Sequence, residues 1–441
     1  MGERLTASAR LTRTVCDCLG TKSNGVRMSN GARTVVGASL AIFFHGSLVF
    51  GMPGLMSSVW GKELGISSGA LSLVMFFLLA ALGTFMFFVG KWTVLYGAKR
   101  LILVGTVLAA IAAALTALVS NVWMIYLWAF LIGAASCFVY SPGINVAQQW
   151  FPHIKGTVSG IVNLTFGIAA AIMVPIYRLW LESYGQTTLA LIIAALTLVL
   201  GLLGTGLIVL PTPGATPQHA KTQDAKKQDA KTQDAKKQDA KRGDGPLALT
   251  PTEAVRTKSF WLLWVVWALM GAAGITMVTQ SVRYGLHLGF GLAAASGILA
   301  SFNLTNGLSR LASGVLSDRL GRKLTLALSF VLAGAAYFVL PHTSSLSVIM
   351  LLAAGVGFGY GTLFACSAPL IAECFGLKHF GVIFGLVFTS FGFVSGLVGP
   401  VATGLILDAT GNSYSTAFLF LGALCLASAG LVMAIRQPDS Q

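Results

Sequence analysis

Arg310 places a guanidinium inside Leu292 to Gly314, a stretch that otherwise reads as a membrane-spanning helix. An ionisable group near the centre of a bilayer costs several kcal/mol, so by default it marks a substrate or ion path. The planar fork of guanidinium donors suits a carboxylate bidentately, and partial desolvation strengthens such charge-assisted bonds. The chemistry expected here is reversible binding of an anion. Two competing readings are a side chain that snorkels to the interface and one that pairs with a structural acid. No Asp or Glu falls in the central part of any span predicted below, so a fixed partner is lacking.

Other apolar stretches offer neighbours. Asn306 lies one turn before Arg310, while Tyr140 and Tyr360 bring hydroxyls and aromatic edges able to size and orient a small anion. Taken singly, each reads first as ordinary helix packing; as a set they form a candidate cavity wall. His45 sits near the centre of the first apolar run. Imidazole titrates near neutral pH, so a protonated His45 would serve as a second cation or carry a cotransported proton. The alternative is a neutral histidine hydrogen-bonded inside the bundle.

The elements that must position these groups follow from composition. The chain is 55% hydrophobic and 10% charged over 441 residues, with a mean hydropathy of +0.80. Such a chain is an all-α, polytopic membrane protein. Twelve apolar runs, most near the ~20 residues that cross a hydrocarbon core, pair their backbone internally as helices. They are Val35–Met56, Ala70–Val89, Leu101–Leu118, Val122–Val146, Val158–Tyr177 and Leu189–Leu210, then Phe260–Val282, Leu292–Gly314, Leu324–Val339, Leu346–Ile371, Val382–Ile406 and Ala417–Ile435. The third and ninth are short, and the eighth has a polar centre that suits a pore-lining helix.

Orientation follows from Lys and Arg, which concentrate on the cytoplasmic side. With the amino terminus inside, only Lys62, Arg178 and Arg283 of the 29 basic residues face outward, apart from Arg310 in the membrane. Both termini are therefore expected to be cytoplasmic in the cell (inner or plasma) membrane. The net charge of +15 lies in the tail, the linker and the short inner loops. That is a topology signal, with some attraction to anionic lipid, and it argues against nucleic-acid binding.

The expected organisation is a tail at 1–33, a bundle at 34–210, a linker at 211–257, a bundle at 258–436 and a tail at 437–441. The linker carries near-repeats of Lys-Thr-Gln-Asp-Ala with no apolar face to bury, so it reads as solvated. A docking role for partner or lipid is the alternative. The first 33 residues are basic and lack the apolar core of a secretory signal peptide. A transit peptide, or a true start at Met28, are the other readings of that segment.

The two bundles repeat. Gly90-Lys-Trp-Thr-Val94-Leu-Tyr-Gly97-Ala-Lys99-Arg100 follows the second span, and Gly314-Val-Leu-Ser-Asp318-Arg319-Leu-Gly321-Arg322-Lys323 follows the eighth at a constant offset of 224. Parallel six-helix repeats place a binding site at the bilayer midplane between them. The second segment resembles the signature loop of the major facilitator superfamily, and the first departs from it at Val94 and Ala98. The resemblance implies that Gly314, Asp318, Arg319 and Arg322 belong to a gate that holds one face closed. A buried Asp at a helix start with nearby guanidinium groups is physically suited to a bistable cluster. A polar loop that only sets topology is the simpler reading.

A narrower resemblance rests on Asn306-Gly307-Leu-Ser-Arg310, on Tyr360-Gly-Thr-Leu-Phe-Ala-Cys-Ser-Ala-Pro369, on Phe375 to Lys378 with Gly381 to Thr389, and on Gln149-Trp150-Phe151-Pro152 to Gly167. These are similar to the oxalate/formate antiporter family. Related monocarboxylate transporters carry the Arg as well, commonly with an Asp four residues earlier, where this chain has Asn306. The resemblance implies that dicarboxylate carriers use a second cation, a Lys in the eleventh helix. Phe391 stands at the matching position. One Arg neutralises one carboxylate, so a small monocarboxylate such as formate, lactate or pyruvate is expected over oxalate or another dicarboxylate.

The missing counter-ion also favours exchange, since moving an unpaired charge between faces costs more than moving a neutral complex. Proton-coupled transport through His45 is the other mechanism considered. The six cysteines form no metal or disulfide pattern. No nucleotide-binding loop, catalytic carboxylate pair or Ser-His-Asp arrangement is present, so no enzyme, primary pump, cofactor or metal is expected. A cationic drug exporter would need an intramembrane carboxylate. A carboxylate sensor that does not transport lacks any appended signalling domain. The expectation is a twelve-helix, monomeric transporter of small organic anions.

Overall fold

The computed structural model describes residues 28–151, 155–211, 249–376 and 379–436. The tails before 28 and after 436 and the linker over 212–248 lie outside the described residues, as do Cys16 and Cys18. In chain order the helices are α1 (Asn30–Phe50), α2 (Met52–Glu63), α3 (Ser68–Tyr96), α4 (Ala98–Leu115), α5 (Val122–Trp150), α6 (Lys155–Leu207), α7 (Pro251–Arg256), α8 (Lys258–His287), α9 (Leu292–Leu320), α10 (Arg322–Val339), α11 (Leu346–Phe375), α12 (Phe380–Thr389), α13 (Ala402–Ala409) and α14 (Tyr414–Met433).

In a bilayer every backbone group must be paired within its own helix, and the first N–H groups of each helix need a cap. Ser67, Asn121 and Thr257 supply side-chain oxygens to the amides of Ala70, Met124 and Phe260 at the starts of α3, α5 and α8. The short α7 begins with a capping box between Thr250 and Glu253. α6 is two helices joined at Gly185, where φ is +76°. α1 and α2 form one span interrupted at Gly51, because Pro53 has no N–H to continue the ladder. α12 and α13 are likewise one span, joined through wide turns at Ser390–Ser395 and Leu397–Val401.

Ten helices in the described residues are long and apolar enough to cross a membrane. One of them, Gly160–Leu207, contains both arms of α6, and α9 is too polar to be included. The set is consistent with twelve spans. The repeat is exact in its helix bounds: α3, α4 and the 3₁₀ turn Thr116–Leu118 recur 224 residues later as α9, α10 and Leu340–His342. Gly97 and Gly321 close the two signature loops at φ +82° and +86°.

An even number of spans returns the described chain to the face from which its first span starts, and the two bundles are clamped at the opposite face. There Asp408, at the end of α13, accepts from the amides of Ser68 at 3.1 Å and Gly69 at 2.8 Å. These are orphan donors of the first turn of α3, so the second bundle caps a helix of the first. Arg283 of α8 donates to Ser68 Oγ, and Gln280 lies 3.5 Å from Ser72. The buried Gln280 Oε1 and Thr403 Oγ1 have no partner here.

Removing a cap costs about 1 kcal/mol, roughly fivefold in an equilibrium. In a background free of native cysteines and carrying Thr403→Cys, Asp408→Ala is expected to raise labelling by an impermeant maleimide from the clamped face about fivefold. Unchanged labelling would show that Asp408 does not hold that face shut.

Candidate substrate site between the two bundles

α9 is inverted in pattern. Its buried residues include Asn303, Asn306, Ser309, Arg310, Ser313 and Ser317, at three- and four-residue spacing, whereas Leu304, Leu308, Leu311 and Val315 are exposed. A helix with a polar inner stripe and an apolar outer face is built to line a polar centre within lipid. This orientation buries Arg310 to 6% exposure, so it points into the protein and does not reach for an interface.

Across the boundary, α9 meets the first arm of α6 backbone to backbone. A Cβ on Gly167 would lie 2.9 Å from Gly307 Cα, and one on Gly307 would lie 2.9 Å from Ile168 N. Only glycines permit that approach, and it brings the Gly167 region within van der Waals reach of the guanidinium. Asn163, one turn before Gly167, is thereby presented to Arg310. Arg310 Nη1 lies 3.3 Å from Asn163 Oδ1 and 3.5 Å from its carbonyl oxygen. Tyr140 of α5 donates to the same Oδ1.

No carboxylate pairs with Arg310 among the described residues, and its Nε and Nη2 are buried without partners. The guanidinium carbon stands 4.7 Å from the centre of the Phe364 ring, a cation–π contact that holds the charge without neutralising it. Tyr140 reaches the same centre through Asn163, and Tyr360 through Phe364, whose rings are 5.2 Å apart between centres. Tyr360 is fully buried, and its hydroxyl has no hydrogen-bond partner. Its ring stacks on Phe302 and meets Phe50 and Phe364 edge-on. Asn306 is buried with both amide atoms unpaired.

Thus Arg310, Tyr140 and Tyr360 are brought together, with Asn306 one turn away on the same buried stripe. Phe391 is buried, 5.6 Å from Phe364 and 6.4 Å from Tyr360 between ring centres, so the eleventh predicted span contributes an apolar wall. His45 is placed elsewhere. Its Nδ1 lies 3.0 Å from Ala41 O, and its ring faces the Gly105 backbone of α4, inside the first bundle. Its Nε2 is buried without a partner.

The signature-loop residues form a staple within the second bundle. Arg322 pairs with Asp318 at 2.6 Å and with Glu373 of α11 at 3.3 Å, and it donates to Ser317. Asp318 is not buried at a helix start as expected, because it lies exposed in the last turn of α9; Arg319 is exposed too, and Gly314 has open space beside it. Sequence reasoning missed Asn163, Phe364, Glu373 and Asp408. For Asn163 a signal was available: it is a lone amide in the apolar run Gly160-Ile-Val-Asn163-Leu, and polar groups in such runs are functional candidates.

Two six-helix repeats around a buried, unneutralised cation define the helical carrier class, in which the site lies between repeats. Residues 38–304 and 285–441 match the Major Facilitator Superfamily, and the chain belongs to that superfamily. It is 26% identical over 309 residues to the oxalate:formate antiporter of Oxalobacter formigenes, covering 68% of this chain and 67% of the antiporter. It is 25% identical over 350 residues to human monocarboxylate transporter 11, covering 75% and 67% respectively. The nucleoside transporter NupG shares the fold at a TM-score of 0.68 and 15% identity, over 92% of this chain and all of that one. The protein is a multi-pass membrane transporter, and its relatives support anion transport.

The placement of His45 against Ala41 and Gly105 predicts that His45→Gln leaves the pH profile of uptake unchanged. A displaced profile would place proton coupling at His45.

Proposed function

We propose that the protein is a secondary transporter of small organic monocarboxylates, working as a monomer in the cell membrane with both termini cytoplasmic. It exchanges one monoanion for another by rocking its two bundles about Arg310. The observation that carries this reading is a buried guanidinium with two unpartnered nitrogens and no carboxylate mate among the described residues. A carboxylate entering the site would bind the guanidinium bidentately and cancel the buried charge.

The wall supports one negative charge and not two. Phe391, Phe364 and Trp267 pack edge to face beside the site, so a second carboxylate would meet rings where a dianion needs a cation. The charge balance also favours exchange over free return of the empty carrier. His45 lies apart from Arg310, which weighs against a cotransported proton held there. With one face clamped by Asp408, the bundles would open toward the face that carries the termini. The Asp318–Arg322–Glu373 staple then keeps the ends of α9, α10 and α11 moving as a unit.

The test is counterflow in proteoliposomes with a panel of mono- and dicarboxylates. Wild type is expected to exchange a monocarboxylate, and Arg310→Gln to lose roughly a hundredfold, the scale of one truncated buried charge pair. Binding without counterflow would identify a sensor, and retention of exchange by Arg310→Gln would remove the proposed site. Phe391→Lys is expected to admit a dicarboxylate at the expense of the monocarboxylate. If the panel favours a dicarboxylate in the wild type, the single-charge reading fails.

A further inference from the structure

Asn163 stands where a substrate oxygen should stand. Its Oδ1 is the meeting point of two donors from different bundles: the Tyr140 hydroxyl, on the same side of the boundary, and Arg310 Nη1, 3.3 Å away across it. A hydroxyl and a guanidinium that converge on one atom require an acceptor there, which assigns the amide with its oxygen toward them. The remaining donors around the guanidinium, Nε and Nη2, have nothing to bind, and the same holds for the buried Tyr360 hydroxyl and the Asn306 amide. The acceptors that Arg310 engages, Asn163 Oδ1 and the Asn163 carbonyl oxygen, are both neutral.

We infer that Asn163 is an internal stand-in for the substrate carboxylate. In the empty carrier its amide oxygen occupies one of the two positions a carboxylate would fill, joining Tyr140 to Arg310 and so joining the first bundle to the second. An arriving carboxylate displaces that oxygen, takes both donors, and engages Nη2 with its second oxygen. The amide oxygen carries only a partial charge, so it orients the guanidinium without neutralising it. This keeps the site selective for a full negative charge and keeps the empty carrier from crossing freely. The backbone contact between Gly167 and Gly307 sets the distance, since it fixes the first arm of α6 against α9 one turn away.

The inference rests on the reading of Arg310 as the carboxylate site, and the experiment separates the two. Asn163→Asp replaces the neutral acceptor with a permanent anion. It is expected to weaken substrate binding at least about tenfold and to raise efflux into substrate-free buffer at least about tenfold, because the empty site is now neutral. Thermal melting of the purified variant checks that it folds. Asn163→Ala, which removes the competitor, is expected to bind a monocarboxylate more tightly than wild type, read by quenching of tryptophan fluorescence, and unchanged affinity would overturn the stand-in.

If Asn163→Asp leaves efflux and affinity at wild-type values while Arg310→Gln abolishes counterflow, the stand-in is overturned and the Arg310 site survives. Loss of affinity by tenfold or more in Asn163→Ala would make Asn163 a direct ligand and would overturn it too. Counterflow that survives Arg310→Gln overturns both readings.

Discussion

The structure depends on keeping a positive charge out of water without cancelling it. Arg310 lies at the boundary of two bundles, held by the Asn163 amide and carbonyl and by one aromatic face. A structural acid would have lowered the energy of this state and closed the site. The surroundings instead give the guanidinium its direction and leave its strongest interaction unmade. On the proposed function, binding energy is then available to a carboxylate that brings its own charge, and the state with an anion bound would move most readily.

The boundary between the bundles is made for that movement. Lipid offers no hydrophobic drive for helix association, so contacts in a membrane rest on close packing and a few polar bonds. Gly167 against Gly307, and Gly83 against Gly392, bring backbones together with no side chains interlocked between them. Toward the clamped face the bonds are polar and few, with Asp408 capping α3 and Asn303 of α9 donating to the carbonyl of Phe50 at the end of α1. Contacts of this kind can be exchanged as units when the bundles rock. By contrast, Arg322 is tied three ways inside its own bundle, which makes that loop a brace for one half in this conformation.

Much of the fold was legible because a bilayer restricts the chain so strongly. Twelve apolar runs, the signature loops and the 224-residue offset were all visible, and the offset reappears in the bounds of α3, α4, α9 and α10. Helix ends were less legible, as α3 and α9 run beyond the apolar stretches that announced them. α9 shows the reason, since its polar inner stripe lowers the apolarity that marks a span. Other spans are apolar on every side, so their composition does not tell a lipid face from a bundle face. His45 and Tyr140 illustrate the ambiguity: both lie in apolar runs, yet one turns toward α4 and the other toward Arg310.

Composition and covalent order alone determined that the chain is a two-repeat helical membrane protein and that Arg310 is its exceptional residue. Those properties are local: a run of side chains either tolerates lipid or does not, and a charge within such a run stands out whatever surrounds it. Only the tertiary structure decided what the charge faces. Asn163 is 147 residues away, Phe364 belongs to another helix, and Asp408 reaches α3 across 340 residues. Which side chain meets which depends on how each helix is rotated about its axis and how closely its glycines let it approach. Packing sets both, and neither is written in hydrophobic periodicity.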